Sequence, residues 1–371
     1  MLRLSIREKA MADDGAAFAF TPAGDIAGAR PRDKVHGPLP DLEWRLAAPL
    51  IEAINKLKRE KNAVILAHNY MTPEIFHGVG DFVGDSLGLA REAARSEAST
   101  IVQAGVHFMA ETSKILCPEK TVLIPDPRAG CSLAASITAA DVRAIRRRYP
   151  GLPVAAYVNT SAAVKAETDI CCTSANAVQV VEAIAREFGV DRVILLPDEF
   201  LARNVARQTD IGIIAWQGRC EVHERFTAGD IAEMRQAWPD ARILAHPECP
   251  PEVLEAADFA GSTAAMSDYV KTRKPRQVVL ITECSMADNV AHDAPETQFV
   301  RPCNLCPHMK RITLQNIHDA LLHGRFEVNV DAAIVARARA SVQRMIDLPP
   351  PRVPARYDLI KARHHVDVEL I

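Results

Sequence analysis

The sequence predicts an α/β protein made of three similar units, each with a short parallel sheet covered by helices. The first observation is an internal repeat, which is typical of a chain built from similar structural units. A short apolar run that leads through a turn to a cysteine occurs three times, and the cysteines Cys131, Cys220 and Cys306 are 89 and 86 residues apart. Three further landmarks recur in the same order, at 65–70, 155–160 and 243–248, at 81–86, 169–174 and 258–263, and from 101, 193 and 278.

The second observation is the alternation of short apolar runs with segments of helical period. Fully apolar strands that alternate with helices belong to a parallel sheet covered on both faces. In the first copy, strands are expected at 63–67, 101–104 and 121–124. Helices are expected after Thr72-Pro73, from the 83–86 segment to residue 95, and at 109–116. The apolar residues of 41–61 recur at three- and four-residue steps, which predicts a helix there.

These elements divide the chain into five predicted segments. Residues 1–40 have no sustained period and are expected to form a flexible arm, and 41–135 is the first α/β repeat. The second and third repeats are 136–222 and 223–309, and the helices of 310–346 are expected to return to the first. A proline run near residue 350 leads to a C-terminal tail, 347–371, that is expected to be extended or disordered.

The composition of the 371 residues excludes several classes of protein. A net charge of −3 gives no general attraction to nucleic acid or to a membrane surface. No apolar run approaches the ~20 residues of a membrane span. Nine cysteines in a chain of this length, with no secretory signal, predict reduced thiols and a cytoplasmic protein.

The recurring cysteines are candidate metal ligands. If the units pack around a pseudo-threefold axis with the carboxyl ends of their strands inward, the three thiols converge, and ligands also bind at such ends. Three alternatives are open: an iron–sulfur cluster with one open iron, a zinc site formed with His223, and plain core cysteines. Cys303-x-x-Cys306 alone is a weak signal. We expect structural roles for the other cysteines, which are Cys117, Cys171, Cys172, Cys249 and Cys284.

Polar residues at the strand ends predict a binding pocket. Hydroxyls between a strand end and a helix suit phosphate or carboxylate, although each could be an ordinary helix cap; these are Ser86, Ser174, Ser262 and Thr263. The end of the first strand in each unit offers a general acid, a general base and hydrogen-bond donors, namely His68, Tyr70, Tyr157, Asn159, His246 and Glu248.

Together these motifs resemble those of the quinolinate synthase family. The resemblance covers roughly residues 45 to 345 and includes the stretches 67–70, 84–86, 108–112, 131–133, 157–162, 216–223, 246–248, 261–263 and 306–307. It implies three homologous three-layer α/β/α domains around a pseudo-threefold axis. It also implies a [4Fe–4S] cluster bound by Cys131, Cys220 and Cys306, and condensation of iminoaspartate with dihydroxyacetone phosphate to quinolinate, with loss of phosphate and water.

The resemblance also implies roles for the polar residues. Tyr70 and Glu248 become candidates for proton transfer with His68 near them, and Tyr157 would position substrate against the cluster. The implied substrate-binding residues are His68, Ser86, Tyr157, Asn159, Ser174, His223, His246, Glu248, Ser262 and Thr263. An aspartate-oxidising enzyme is the implied supplier of iminoaspartate. The chain departs from a Cys-x-x-Cys-x-x-Cys run found in some members, since only Cys303 and Cys306 are present.

Three alternative functions can be distinguished from this one by simple observations. A cluster-dependent hydro-lyase would release water without phosphate. A cluster-based sensor would have little use for three anion-binding helix starts and would need an interaction segment, which is not apparent in the sequence. A zinc protein would differ in metal content.

Overall fold

The computed structural model describes residues 39–349 and 368–371, and their strands form three separate parallel sheets. The first contains β1 (Ala63–His68), β2 (Phe82–Gly84), β3 (Thr100–Ala104) and β4 (Thr121–Leu123). The second contains β5 (Val154–Tyr157), β6 (Ile170–Cys172), β7 (Arg192–Leu196) and β8 (Gly212–Ala215), and the third β9 (Arg242–Ala245), β10 (Phe259–Ala260), β11 (Gln277–Ile281) and β12 (Gln298–Val300). Every pairing is parallel. The predicted α/β class with repeated parallel sheets is confirmed.

The order of the strands is the same in all three sheets. The second strand of each unit pairs with the first, the first with the third, and the third with the fourth. Helices connect the strands and cover both faces, so the strand residues Ile65, Leu66 and Ala67 are all fully buried. Burial on both faces explains why these strands are continuous apolar runs rather than alternating ones.

Helices alternate with these strands in each of the three units. The first unit has α1 (Asp41–Glu60), α2 (Pro73–Phe76), α3 (Ser86–Arg95), α4 (His107–Leu116), α5 (Ser132–Ala135) and α6 (Ala139–Arg148). The second has α7 (Ala162–Lys165), α8 (Ala177–Phe188), α9 (Glu199–Ala206) and α10 (Ala228–Ala237), and the third α11 (Pro251–Ala256), α12 (Thr263–Arg273) and α13 (Ser285–Asp293). Two helices follow, α14 (Leu314–His323) and α15 (Ala332–Asp347).

In each unit, an aspartate just before the second strand forms a hydrogen bond with the backbone of the first strand. The carboxylate accepts the backbone N–H of the first strand at 2.9, 2.7 and 2.8 Å, in the pairs Asp81 with Ile65, Asp169 with Val154 and Asp258 with Ile243. These contacts align the first strands of the three units, Ile65 with Val154 and with Ile243, with shifts of 89 residues. The sequence alignment of 65–70 with 155–160 is therefore wrong by one residue, and Tyr70 corresponds to Asn159 and Glu248.

Replacing Asp169 with alanine is expected to lower the free energy of unfolding by about 1–3 kcal/mol, because the buried N–H of Val154 loses its partner. Urea denaturation of the metal-free protein measures the change. Asp240→Ala is the matched control at an exposed position, with an expected effect of about 0.5 kcal/mol or less. Equal effects of the two substitutions would contradict a fastening role for Asp169.

A capping box also recurs, seven residues after each of the three recurring cysteines. Threonine accepts the backbone N–H of the third helical residue, whose side chain accepts the threonine N–H in return. The pairs are Thr138 with Asp141, Thr227 with Asp230, and Thr313 with Asn316, and they start α6, α10 and α14. The path away from each cysteine is thus the same in every unit.

The C-terminal segments differ in part from the sequence prediction. The helix α14 lies against α1 of the first unit, as expected, but α15 contacts α7 and β6 of the second unit as well as α4 of the first. A further strand, β13 (Val368–Leu370), pairs with β8 at the edge of the second sheet, where an extended tail was predicted. Residues 1–38 of the predicted arm and residues 350–367 of the tail lie outside the described residues, and the domain boundaries stay predictions.

The described part of the chain contains no helix that is long and apolar enough to cross a membrane.

Candidate active site

The carboxyl ends of the strands of all three sheets surround one cavity, with an empty volume of ≈ 710 Å³ that includes open solvent at its mouth. The structure brings all three recurring cysteines to its wall, together with all but one of the predicted pocket residues. Those at the wall are His68, Tyr70, Ser86, Tyr157, Asn159, Ser174, His223, His246, Glu248, Thr263, Cys131, Cys220 and Cys306. Two features explain this convergence: parallel strands end at one edge of a sheet, and the three sheets present that edge to each other.

Glu248 contacts three polar side chains of the cavity. Tyr157 donates its hydroxyl to Oε1 at 2.5 Å, and Asn159 donates Nδ2 to the same oxygen at 3.4 Å. The Nδ1 of His223 lies 2.8 Å from Oε2. Burial alone would raise the pKa of Glu248, but the electrostatic interactions with His223 and His246 and these hydrogen bonds outweigh it and lower the pKa below its usual range. Glu248 is therefore an ionised carboxylate, able to accept a proton or to bind a cation.

His68 and His246 occupy equivalent positions and share one arrangement. The Nδ1 of each accepts the backbone N–H of the residue two further on, at 3.2 Å from Tyr70 and 3.3 Å from Glu248. Burial lowers the pKa of His68 to about 4 and that of His246 to about 3, so both rings are neutral near pH 7. A neutral ring whose Nδ1 accepts carries its proton on Nε2. Each imidazole can thus donate one hydrogen bond, and His246 has Ser174 Oγ at 3.3 Å.

Thr282 links two of the predicted residues and was not recognised from the sequence. Its hydroxyl lies 2.7 Å from the Tyr70 hydroxyl and 2.9 Å from His223 Nε2. Burial, followed by the charge of Glu248, raises the pKa of both Tyr70 and Tyr157, so both phenols are protonated at neutral pH. The signal in the sequence was the position of Thr282 at the end of the third apolar run of its unit.

The helix starts divide into caps and cavity residues. Asp85 caps α3 by accepting the N–H of Gly88 at 2.9 Å, so the next residue, Ser86, faces the cavity without serving as the cap. Ser262 is the predicted pocket residue that is absent from the wall, and its hydroxyl caps α12 instead. Thr263 lines the cavity and accepts a hydrogen bond from Asn69 Nδ2 at 2.8 Å. The ordinary cap interpretation therefore fits Ser262 best.

The three recurring cysteines follow β4, β8 and β12 and suit a metal centre. Burial raises the pKa of all three thiols, that of Cys131 to about 12, so they are neutral unless a cation compensates a thiolate. A metal supplies that compensation, and three sulfur donors on one wall suit an iron–sulfur cluster with one open iron. Donor atoms of Cys220, His223 and Glu248 also lie within 4.8 Å of one another, a group that could hold a single ion.

The remaining cysteines do not reach this wall. Cys117, Cys171, Cys172 and Cys249 are buried, as expected for packing residues. Cys284 and Cys303 lie beside each other with their Cα atoms 4.9 Å apart, a spacing that allows a disulfide where reduced thiols were predicted. The physical reason is a bridge between Glu283 and Asn304, which places the chain after β11 beside the chain after β12.

Titratable residues beside the cavity were also not predicted from the sequence. Lys310 lies 2.9 Å from the fully buried Glu283 and donates to the backbone carbonyl of Tyr70 at 2.7 Å. His308 Nε2 lies 2.9 Å from Glu221 Oε1. Lys310, His308 and Glu221 have no repeated equivalent that would have singled them out.

Comparison with known proteins identifies the family of this site. The family described as quinolinate synthetase A protein matches residues 52–347. A quinolinate synthase of Caulobacter vibrioides (strain NA1000 / CB15N) is 73% identical over 352 residues, which are 95% of this chain and 96% of the relative. The chain belongs to the quinolinate synthase family. The protein is accordingly an enzyme of NAD biosynthesis with the activity after which this family is named.

Other relatives agree with this assignment. Quinolinate synthase 2 of Mesorhizobium japonicum (strain LMG 29417 / CECT 9101 / MAFF 303099) is 64% identical, over 85% of this chain and 96% of the relative. A quinolinate synthase of Agrobacterium fabrum (strain C58 / ATCC 33970) is 62% identical, over 87% and 92% respectively. The resemblance to the quinolinate synthase family inferred from the motifs is confirmed.

Proposed function

We propose that this enzyme condenses iminoaspartate with dihydroxyacetone phosphate to quinolinate, releasing phosphate and water. The observation that carries the proposal is the meeting of three thiols, an ionised carboxylate and two protonated phenols in one cavity. Both substrates are anionic and carry oxygen acceptors. Serine hydroxyls, Thr263 and the Nε2–H groups of His68 and His246 are suitable donors to them.

A [4Fe–4S] cluster held by Cys131, Cys220 and Cys306 would have one open iron and would supply a Lewis acid for a substrate oxygen. The protein then has three tasks around that position. Ser86, Ser174 and Thr263 bind the phosphate and carboxylates, Tyr157 and Asn159 orient the substrate, and the apolar body of Phe108 helps to exclude water.

Glu248 and Tyr70 are the groups that transfer protons in this proposal. Glu248 is ionised in the free enzyme, where hydrogen bonds from Tyr157 and His223 stabilise and orient the carboxylate, and it can take a proton from carbon or nitrogen. Tyr70 holds its proton and can donate it to a leaving oxygen, with Thr282 orienting the hydroxyl. His68 packs edge-on against the Tyr70 ring, 4.6 Å between centroids, and restricts its orientation.

The unstable substrate implies a supplier. Iminoaspartate hydrolyses in water, so an enzyme that oxidises aspartate would have to deliver it nearby. We place both reactions in the cytoplasm, following the composition. No nucleic-acid or membrane partner is proposed.

The test is an oxygen-free assay of protein purified without air, with iminoaspartate generated in the reaction and dihydroxyacetone phosphate added. We expect quinolinate and inorganic phosphate to form in equal amounts. Metal analysis of the same sample tests the zinc alternative, for which the Cys220, His223 and Glu248 group provides the specific observation. Water loss from a hydroxy acid without phosphate release would instead indicate a hydro-lyase.

A further inference from the structure

In each unit, the loop after the first strand has two backbone carbonyls that are bound by one side-chain nitrogen. The loops are 68–71, 157–160 and 246–249, and in each the carbonyls belong to the residues on either side of a cavity residue. The cavity residues between the bound carbonyls are Tyr70, Asn159 and Glu248. We call this arrangement a carbonyl clamp.

Asparagine forms the clamp in two of the units. Asn204 donates Nδ2 to Pro247 O at 2.8 Å and to Cys249 O at 3.0 Å, so its two N–H groups bind the carbonyls of the residues before and after Glu248. Asn289 does the same around Tyr70, and its acceptors are Asn69 O at 3.0 Å and Met71 O at 2.7 Å.

These two clamps act between units. Asn204 lies on α9 of the second unit and holds a loop of the third, whereas Asn289 lies on α13 of the third and holds a loop of the first. Both side chains are almost completely buried, at 3% and 2% exposed. Neither amide oxygen has a hydrogen-bond partner among the described residues, so each amide acts through its nitrogen.

The remaining loop is clamped differently. The strand register makes Thr112 on α4 the equivalent of Asn204 and Asn289, and its hydroxyl donates to Phe108 O within its own helix. The carbonyl clamp of the second unit is formed instead by Lys165, which belongs to the same unit and is fully buried at the end of α7. Its ammonium donates to Val158 O at 2.8 Å and to Thr160 O, the carbonyls on either side of Asn159.

We infer that Asn204, Asn289 and Lys165 are positioning residues that set the direction in which Glu248, Tyr70 and Asn159 enter the cavity. Two carbonyls bound by one nitrogen fix the peptide before the residue between them and the second peptide after it. This restrains the backbone on both sides of that residue, and hence the direction of its Cα–Cβ bond. The clamps of Glu248 and Tyr70 reach across a unit boundary, so the packing of neighbouring units is transmitted to the reacting groups. This inference rests on the roles of Glu248 and Tyr70 in the proposed function.

A double-mutant cycle on the complete, cluster-loaded enzyme tests it. Asn204→Ala is expected to lower kcat by about 10–100-fold, because small misplacements of catalytic groups have costs of this size. In a Glu248→Gln background the same substitution is expected to lower kcat by less than about 3-fold, since the group it positions is already disabled. Asn289→Ala with Tyr70→Phe forms a second, independent cycle, which serves if Asn204→Ala does not fold.

Asn55→Ala is the matched control. Asn55 is also a buried asparagine that donates to a backbone carbonyl, Gly78 O at 3.2 Å, but it does not line the cavity. We expect it to lower the thermal midpoint as the clamp variants do, with kcat unchanged. Equal losses of kcat from Asn204→Ala with and without Glu248→Gln, or unchanged kcat, would overturn the inference. Full activity of Glu248→Gln would instead refute the role of Glu248 in the proposed function.

Discussion

Glu248→Gln is expected to lower kcat of the condensation by at least ~100-fold, the size of effect that loss of a general base or acid has. Glutamine has almost the same shape and can still accept a hydrogen bond from the Tyr157 hydroxyl, which lies 2.5 Å from the carboxylate. It cannot take up a proton, and it removes the negative charge that faces His223 at 2.8 Å. The loss should therefore fall on kcat, because the contacts that bind substrate elsewhere are unchanged.

Initial rates of quinolinate formation under oxygen-free conditions measure this effect. Glu252→Gln is the control, since Glu252 is an exposed glutamate in the same unit, at the start of α11. Iron content must be equal in all three proteins for the comparison to hold. A kcat within about 3-fold of wild type would rule out Glu248 as the main proton acceptor, since general acid–base groups contribute far more than that.

Replacing any one of Cys131, Cys220 and Cys306 with alanine is expected to remove the metal centre and reduce the condensation to background. The wild-type protein should contain about four iron and four sulfide per chain, the content of a [4Fe–4S] cluster. Two remaining cysteines provide too few thiolates for a cluster whose fourth position must stay open. Iron, acid-labile sulfide and activity, measured on protein purified without oxygen, test the three variants together.

Cys117→Ser provides the contrast for these variants. Cys117 is buried away from the cavity, where its thiol donates to Ala93 O, so the variant should retain iron, sulfide and activity. One zinc per chain without sulfide would contradict the cluster. The group formed by Cys220, His223 and Glu248 would then be the first place to look for the ion.

Much of the fold could be predicted because its causes are local and repeated. Fully buried parallel strands are continuous apolar runs, and three copies of one order of landmarks reinforce each other. Residues at strand ends, such as His68, Tyr157 and Cys220, could also be grouped in advance, since parallel strands place their carboxyl ends together.

The rest depends on contacts that no local pattern records. Thr282 is one threonine among many until the structure places its hydroxyl between Tyr70 and His223. Ser262 looks like Ser86 in the sequence, yet only Ser86 faces the cavity, because Asp85 provides the cap of α3. The strand β13 was missed because its pairing with β8 joins residues more than 150 positions apart.

The fold is repeated three times, but the side chains at equivalent positions of the cavity wall differ. This difference affects how a ligand can lie in the cavity. A wall with true threefold symmetry would accept one small molecule in three orientations of equal energy, two of them unproductive. Here the equivalent loop positions hold a phenol, an amide and a carboxylate, at Tyr70, Asn159 and Glu248. This divergence removes the orientational degeneracy, and a difference of about 1.4 kcal/mol between two orientations already favours one of them tenfold.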